Sequence, residues 1–174
     1  MPFPQFEPRA GQDRFYGKYR GVVKDNQDPQ GLGRVQVEVP ELRPGVLDWA
    51  LPAMPYAGNG VGFFALPPVG ANIWVEFEGG YLGVPIWSGC FWVRDEIESA
   101  DAVPEVIFLK SDQATIRFDK GAGEIRIEIG DSKITLTSSE AKIEASQISL
   151  SANGTALQLT ASGLDALQGA LKVM

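Results

Sequence analysis

The sequence has no histidine and a single cysteine, Cys90. The first absence removes the commonest general base and the commonest metal ligand together, so no Ser/His or Cys/His arrangement exists. The second excludes an intrachain disulfide. Clustered basic residues are also missing: the formal net charge is −7 and the pI near 4.6, which speaks against nucleic acid and against anionic lipid as partners. No apolar run approaches the roughly 18 residues of a membrane-spanning helix, so no stable membrane insertion is expected. The opening "MPFPQFEPRAGQD" lacks a basic segment followed by an apolar one, so synthesis in the cytoplasm without a signal peptide is expected.

A further absence divides the chain. All 12 prolines lie at or before Pro104, every Trp and Tyr at or before Trp92, and no aromatic follows Phe118. Residues 131–174 hold 11 Ser or Thr and 7 Ala among 44 positions. One half is therefore aromatic and proline-rich, the other aliphatic and hydroxyl-rich.

The first half reads as short strands between turn signals. "RVQVEVPEL" puts Val35, Val37 and Val39 on one face, and "ANIWVEFEG" does the same with Ile73, Val75 and Phe77. With "FYGKYRGVVKD", "DWALPAMPYAG" and "VPIWSGCFW" these make five strands, which suggests a small closed barrel of OB type. Such a barrel raises oligonucleotide or oligosaccharide binding, with Trp49, Trp74, Trp87 and Trp92 as stacking faces. The acidic charge and the apolar strands around Trp74 and Trp87 favour packing instead. "GNGVGFF" lacks the lysine and helix of a phosphate loop and reads as a barrel loop. Asp25 with Asp28, or Glu76 with Glu78, are the only carboxylate pairs that invite notice; the latter alternate with Val75 and Phe77 on a solvated face. Cys90, between Trp87 and Trp92, reads as a packed small residue. No catalytic residue, metal ligand or cofactor is assigned.

The second half repeats the pattern apolar–x–apolar–polar: "IRFD", "IRIE", "ITLT", "IEAS", "ISLS" and "LQLT", the first four starting nine residues apart. Such a short period suggests a β-solenoid or fibre. One narrow apolar strip cannot bury itself, whereas copies wound about a common axis bury it mutually and cover each other's edges. The absence of aromatics and prolines fits a thin fibre. The alternatives are the last strands of an ordinary β-sandwich, or a flexible tail, which would not keep the rhythm.

With "GKYRGVVKDNQDPQGLGRVQVEVPEL", "WALPAMPYAGNGVGFFALPPVGANIWVEFEGG" and "PIWSGCFW", residues 15–92 resemble the OB domain of the phage baseplate assembly protein V family, the central spikes of contractile tails and related injection systems. The C-terminal repeat resembles their short β-helix. The resemblance implies an all-β homotrimer: an arm (1–14), a five-stranded OB barrel (15–92), a linker (93–111) and an intertwined triple-stranded β-helix (112–174). It implies a trimer core of Ile125, Ile127, Ile134, Leu136, Ile143, Ile148, Leu150, Leu157, Leu159 and Leu164, and a tip of Leu171, Val173 and Met174. Trp74, Trp87 and Trp92 then serve barrel packing or a hub interface. The 93–111 stretch is too short for the lysozyme domain of some spikes, and about 14 residues before the barrel leave the hub to a separate chain. The implied partners are a hub protein at the barrel end and a PAAR-type tip protein at the other, in a phage tail-like particle that pierces an envelope. An OB-type binding module with a trimerising β tail is the rival reading.

Overall fold

The structure is a computed structural model and describes residues 13–166 and 171–173. It separates into two compact units, up to Glu96 and from Ile97. No described helix is long and apolar enough to cross a membrane.

The first unit contains β1 (Tyr19–Asp25), β2 (Val35–Glu38), β3 (Val46–Pro52), a small hairpin of β4 (Ala57–Gly58) and β5 (Val61–Gly62), β6 (Asn72–Phe77) and β7 (Pro85–Cys90). The order β1-β2-β3-β7-β6 closes on itself, with β6 pairing back to β1. All contacts are antiparallel except β3 with β7, where Leu51 faces Ile86 and Pro52 faces Trp87. Closing so few strands demands strong curvature. Register shifts between Val23 and Asp25, Gln36 and Glu38, and Ile73 and Val75 supply it. So does Gly21, where a Cβ would stand 2.8 Å from a Val75 methyl carbon.

The alternating residues expected to face inward do so. Val35, Val37, Val39, Ile73, Val75 and Phe77 join Val23, Leu47, Ala50 and Trp87 in one buried cluster. The Trp87 indole N–H donates to the Gly33 carbonyl at 3.2 Å, which satisfies the only polar atom its ring brings inside. "GNGVGFF" is a barrel loop, folded as the β4–β5 hairpin around Asn59 and Gly60, the latter at φ +72.

The second unit is an antiparallel meander in two sheets. The first runs β8 (Val106–Lys110), β9 (Ala114–Asp119), β10 (Glu124–Ile129), β11 (Ser132–Leu136) and β12 (Ala141–Glu144), each paired with the next. The second runs β13 (Gln147–Ala152), β14 (Thr155–Thr160), β15 (Gly163–Ala166) and β16 (Leu171–Val173). Each apolar–x–apolar motif is one strand, and the nine-residue spacing is a strand plus its turn. The turns reverse the chain: Gly130 (φ +54) follows β10, and Asn153 and Gly154 (φ +49 and +84) join β13 to β14. Within one copy the repeat therefore folds back on itself and does not coil. β8 falls inside the 93–111 stretch expected as a linker, because "VIFLK" already alternates.

Candidate assembly surfaces

Pairing aligns the aliphatic side chains into rows across the first sheet. Leu109, Ile116, Ile127, Ile134 and Ile143 form one row. Ile107, Phe118, Ile125 and Leu136 form the next. The row residues expected in a trimer core are Ile125, Ile127, Ile134, Leu136 and Ile143, and they remain 37–49% exposed in the single copy. In the second sheet Ile148, Leu159 and Leu164 align, as do Leu150 and Leu157. All ten expected core residues thus lie on apolar sheet rows. Ile107, Leu109, Ile116, Phe118 and Ile129 extend the face and were missed: the first two by the linker assignment, the others despite standing in or beside quoted motifs. Of the expected tip residues, Met174 lies outside the described residues. Leu171 and Val173 lie in β16, opposite Ala166 and Leu164 in register.

The other face of the first sheet is charged and paired. Arg126 bridges Glu124, and Arg117 reaches both Asp101 and Asp119. Glu144 receives Lys142 at 2.7 Å and Lys133 at 3.3 Å, and these two ammonium groups, Lys142 foremost, hold its carboxyl below the usual range. Exposed pairs of this kind are worth only about 0–1 kcal/mol each. Their meaning here is directional: one face is built for water, and the apolar one is not.

On the barrel, Trp87 is 4% exposed and belongs to the core, while Trp92 is 65% exposed. Trp74, between Ile73 and Val75, points outward and packs on Phe91 at 4.7 Å, with the Arg20 guanidinium 5.9 Å from its ring. Near it, Lys18 binds Glu76 at 2.5 Å and Ser88 at 2.7 Å. A second exposed apolar group, Tyr56, Val61, Phe63 and Phe64, surrounds the β4–β5 hairpin. Cys90 departs from expectation: it ends β7 with its side chain exposed. Its neighbours still remove enough water to push the thiol pKa up, away from the reactive thiolate.

The best-organised polar contact was not foreseen from residue spacing. Asp28 accepts from the amides of Gln30 (3.0 Å), Leu32 (2.7 Å) and Arg34 (3.2 Å) and from the Arg34 guanidinium (2.6 and 3.1 Å). It is a loop clasp and not half of a catalytic carboxylate pair. The Arg34 guanidinium first, then the amides, hold its carboxyl well below the usual range against the opposing effect of desolvation. A depressed folded pKa means stability that is complete above the unfolded value near ~3.9 and fades as pH falls below it. Asp28→Asn is expected to lower the Tm of the barrel by several degrees at pH 7, read by tryptophan fluorescence. The gap should narrow steadily below about pH 4; a gap independent of pH would show that charge is not its source.

Among the described residues, no group of three His, Cys, Asp or Glu is placed to hold a metal. The first unit is a closed barrel, and the sheets of the second carry an apolar face left exposed in the single copy. Residues 19–92 match the family described as the Type VI secretion system/phage-baseplate injector OB domain, the family that the resemblance named. That family is a structural baseplate and injector domain and not a family of enzymes, and it implies assembly into a phage or Type VI secretion particle. No curated protein matches the chain.

Proposed function

We propose that three copies of this chain form the central spike of a contractile injection particle, with the barrels on a hub protein and the β-repeat pointing toward the target envelope. The observation that carries this reading is the apolar face of the second unit, exposed in the single copy of a chain whose residues 19–92 match an injector OB domain. Contiguous apolar surface of this extent marks an interaction site. The aliphatic rows repeat at a constant spacing, which suits identical neighbours better than an irregular partner. On this reading the rows close on one axis and the charged faces look outward. Load is shared among the ladders of three chains, and no chemistry is required of the spike.

The barrel exterior around Trp74, Phe91 and Trp92 is the surface assigned to the hub. Leu171, Val173 and Met174 are assigned to a PAAR-type tip protein. Sedimentation equilibrium tests the reading: the particle in solution is expected at three times the 18.8 kDa chain mass. A monomer would overturn it.

A further inference from the structure

We infer that β12 and β13 form a strand switch between copies: β13 of one copy pairs, in parallel, with the free edge of β12 of the next. The inference rests on the homotrimer proposed above and specifies how its chains interlock.

Its source is a break in an otherwise regular meander. Every other pair of consecutive strands in the second unit is joined by a reversal and pairs; β12 and β13 do not, though only Ala145 and Ser146 separate them. Consecutive strands so closely connected ordinarily pair. The sequence carries the same break, since the motif beginning at Ile143 is followed by one at Ile148, five residues on instead of nine. The link bends at Ser146 and contains no described backbone turn hydrogen bond. The chain bends there without forming a hairpin.

Two edges are left open by this corner. Among the described strands β12 has a neighbour only on its β11 side, and β13 only on its β14 side. β13, "QISLSA", carries no charge and no proline, the usual guards of a true edge. The far edge of the first sheet differs: Lys110 on β8 is ion-paired to Glu98 at 2.8 Å. β13 is thus built as an interior strand without its second neighbour.

Threefold symmetry supplies that neighbour. With apolar faces inward, each five-stranded sheet forms one wall, its strands running around the axis and stacking along it. A chain that bends at Ser146 without reversing passes onto the adjacent wall, one level along. There it meets the free β12 edge of the copy that built that wall. Both strands travel the same way round the axis, so the pairing is parallel. Repeated three times, the contact closes into a ring and uses every β12 and β13 edge once. Side chains agree with this. Ile143 and Ile148, five apart, would take opposite faces of an unbroken strand, and the corner lets both face one axis. On the outer face the Lys142–Glu144 pair would meet only Gln147 and Ser149, with no like charge opposed.

The test uses the full chain with Cys90→Ser as background and two cysteine pairs, Lys142→Cys with Ser149→Cys and Lys142→Cys with Gln147→Cys. On the proposed corner these positions, five or seven residues apart in one copy, stand roughly 13–17 Å from each other even for a right-angle bend at Ser146, against the ~4.4–6.8 Å a disulfide spans. Mild oxidation is expected to give a covalent trimer, for at least one pair, on a non-reducing denaturing gel, absent from each single-cysteine chain. A solution trimer without interchain bonds in either pair would overturn the switch while leaving the spike reading intact. A fast-running monomer with an internal disulfide would overturn it too, by showing a hairpin within one copy. A monomer by mass would overturn both. Hydrogen exchange on the unsubstituted protein gives a second reading. The edge amides of β12 and β13 are expected to exchange as slowly as those of central β10, and exchange at loop rates would overturn the switch.

Discussion

Ile127→Asp is expected to turn the proposed trimer into separate chains at neutral pH. Ile127 stands in the middle of its row, between Ile116 and Ile134, on the face proposed to line the axis. The substitution would bring three carboxylates together in an apolar interior. Each unpaired buried charge costs several kcal/mol, and every ~1.4 kcal/mol is tenfold in affinity, so assembly should weaken by more than about 10⁴-fold. Acid should reverse it. Burial and mutual repulsion raise the carboxyl pKa in the assembled state only, so assembly takes up protons and regains strength as pH falls toward about 4–5. The control is Thr135→Asp, on the opposite face beside Arg126 and Lys142 in register. There a new carboxylate meets two cations and water, and the trimer should persist. Leu150→Asp against Ser149→Asp repeats the contrast on the second sheet. Sedimentation across pH reads all four. Equal loss of trimer at Ile127 and Thr135 would overturn the assignment of one face to the axis, and loss at Thr135 alone would show that the faces are assigned the wrong way round.

Much of the barrel was legible because its strands are half-buried and alternate. Val35, Val37 and Val39, and Ile73, Val75 and Phe77, declare their inner face by parity alone. The same parity separates the tryptophans: Trp74 falls between two inward residues and therefore points out. Trp87 falls two after buried Pro85 and points in. The Asp28–Arg34 clasp was not legible, because it depends on how the loop closes on its own amides and no spacing announces that. Cys90 was misjudged for a related reason: its strand is apolar, but its position at the strand end leaves the side chain exposed. In the second unit the rhythm gave the strands and the face. It did not give their connection, since a nine-residue period suits a coil and a meander equally until the turns are seen. The five-residue step at Ile143–Ile148 was visible from the start. Its meaning appeared only when β12 and β13 proved to be neighbours in sequence and not in the sheet.

Cutting the chain after Glu96 is expected to separate folding from association. The barrel has what an independent fold needs. Its sheet is closed and leaves no edge, its core is a single cluster around Ile73 and Trp87, and the buried indole has its hydrogen bond. The fragment 1–96 should therefore be a monomer with a cooperative thermal transition, followed through its tryptophans, all of which it keeps. Among its described residues, the fragment 97–174 has no comparable core within one copy. Four of its large aliphatics, Ile107, Leu109, Ile129 and Leu150, stand more than half exposed, so on the proposed reading its order comes from association with its own copies. It should sediment as a trimer and lose its β structure on dilution into the monomer range, fold and association failing together. Salt separates the two forces involved. The ion pairs lie on the face turned to water and would be screened at 1 M, where the Debye length is ~3 Å, whereas apolar burial would not be weakened. A trimer of 97–174 that survives 1 M salt places the association in the aliphatic rows. A trimer of 1–96 would place it in the barrel and remove the reason for assigning those rows to an axis.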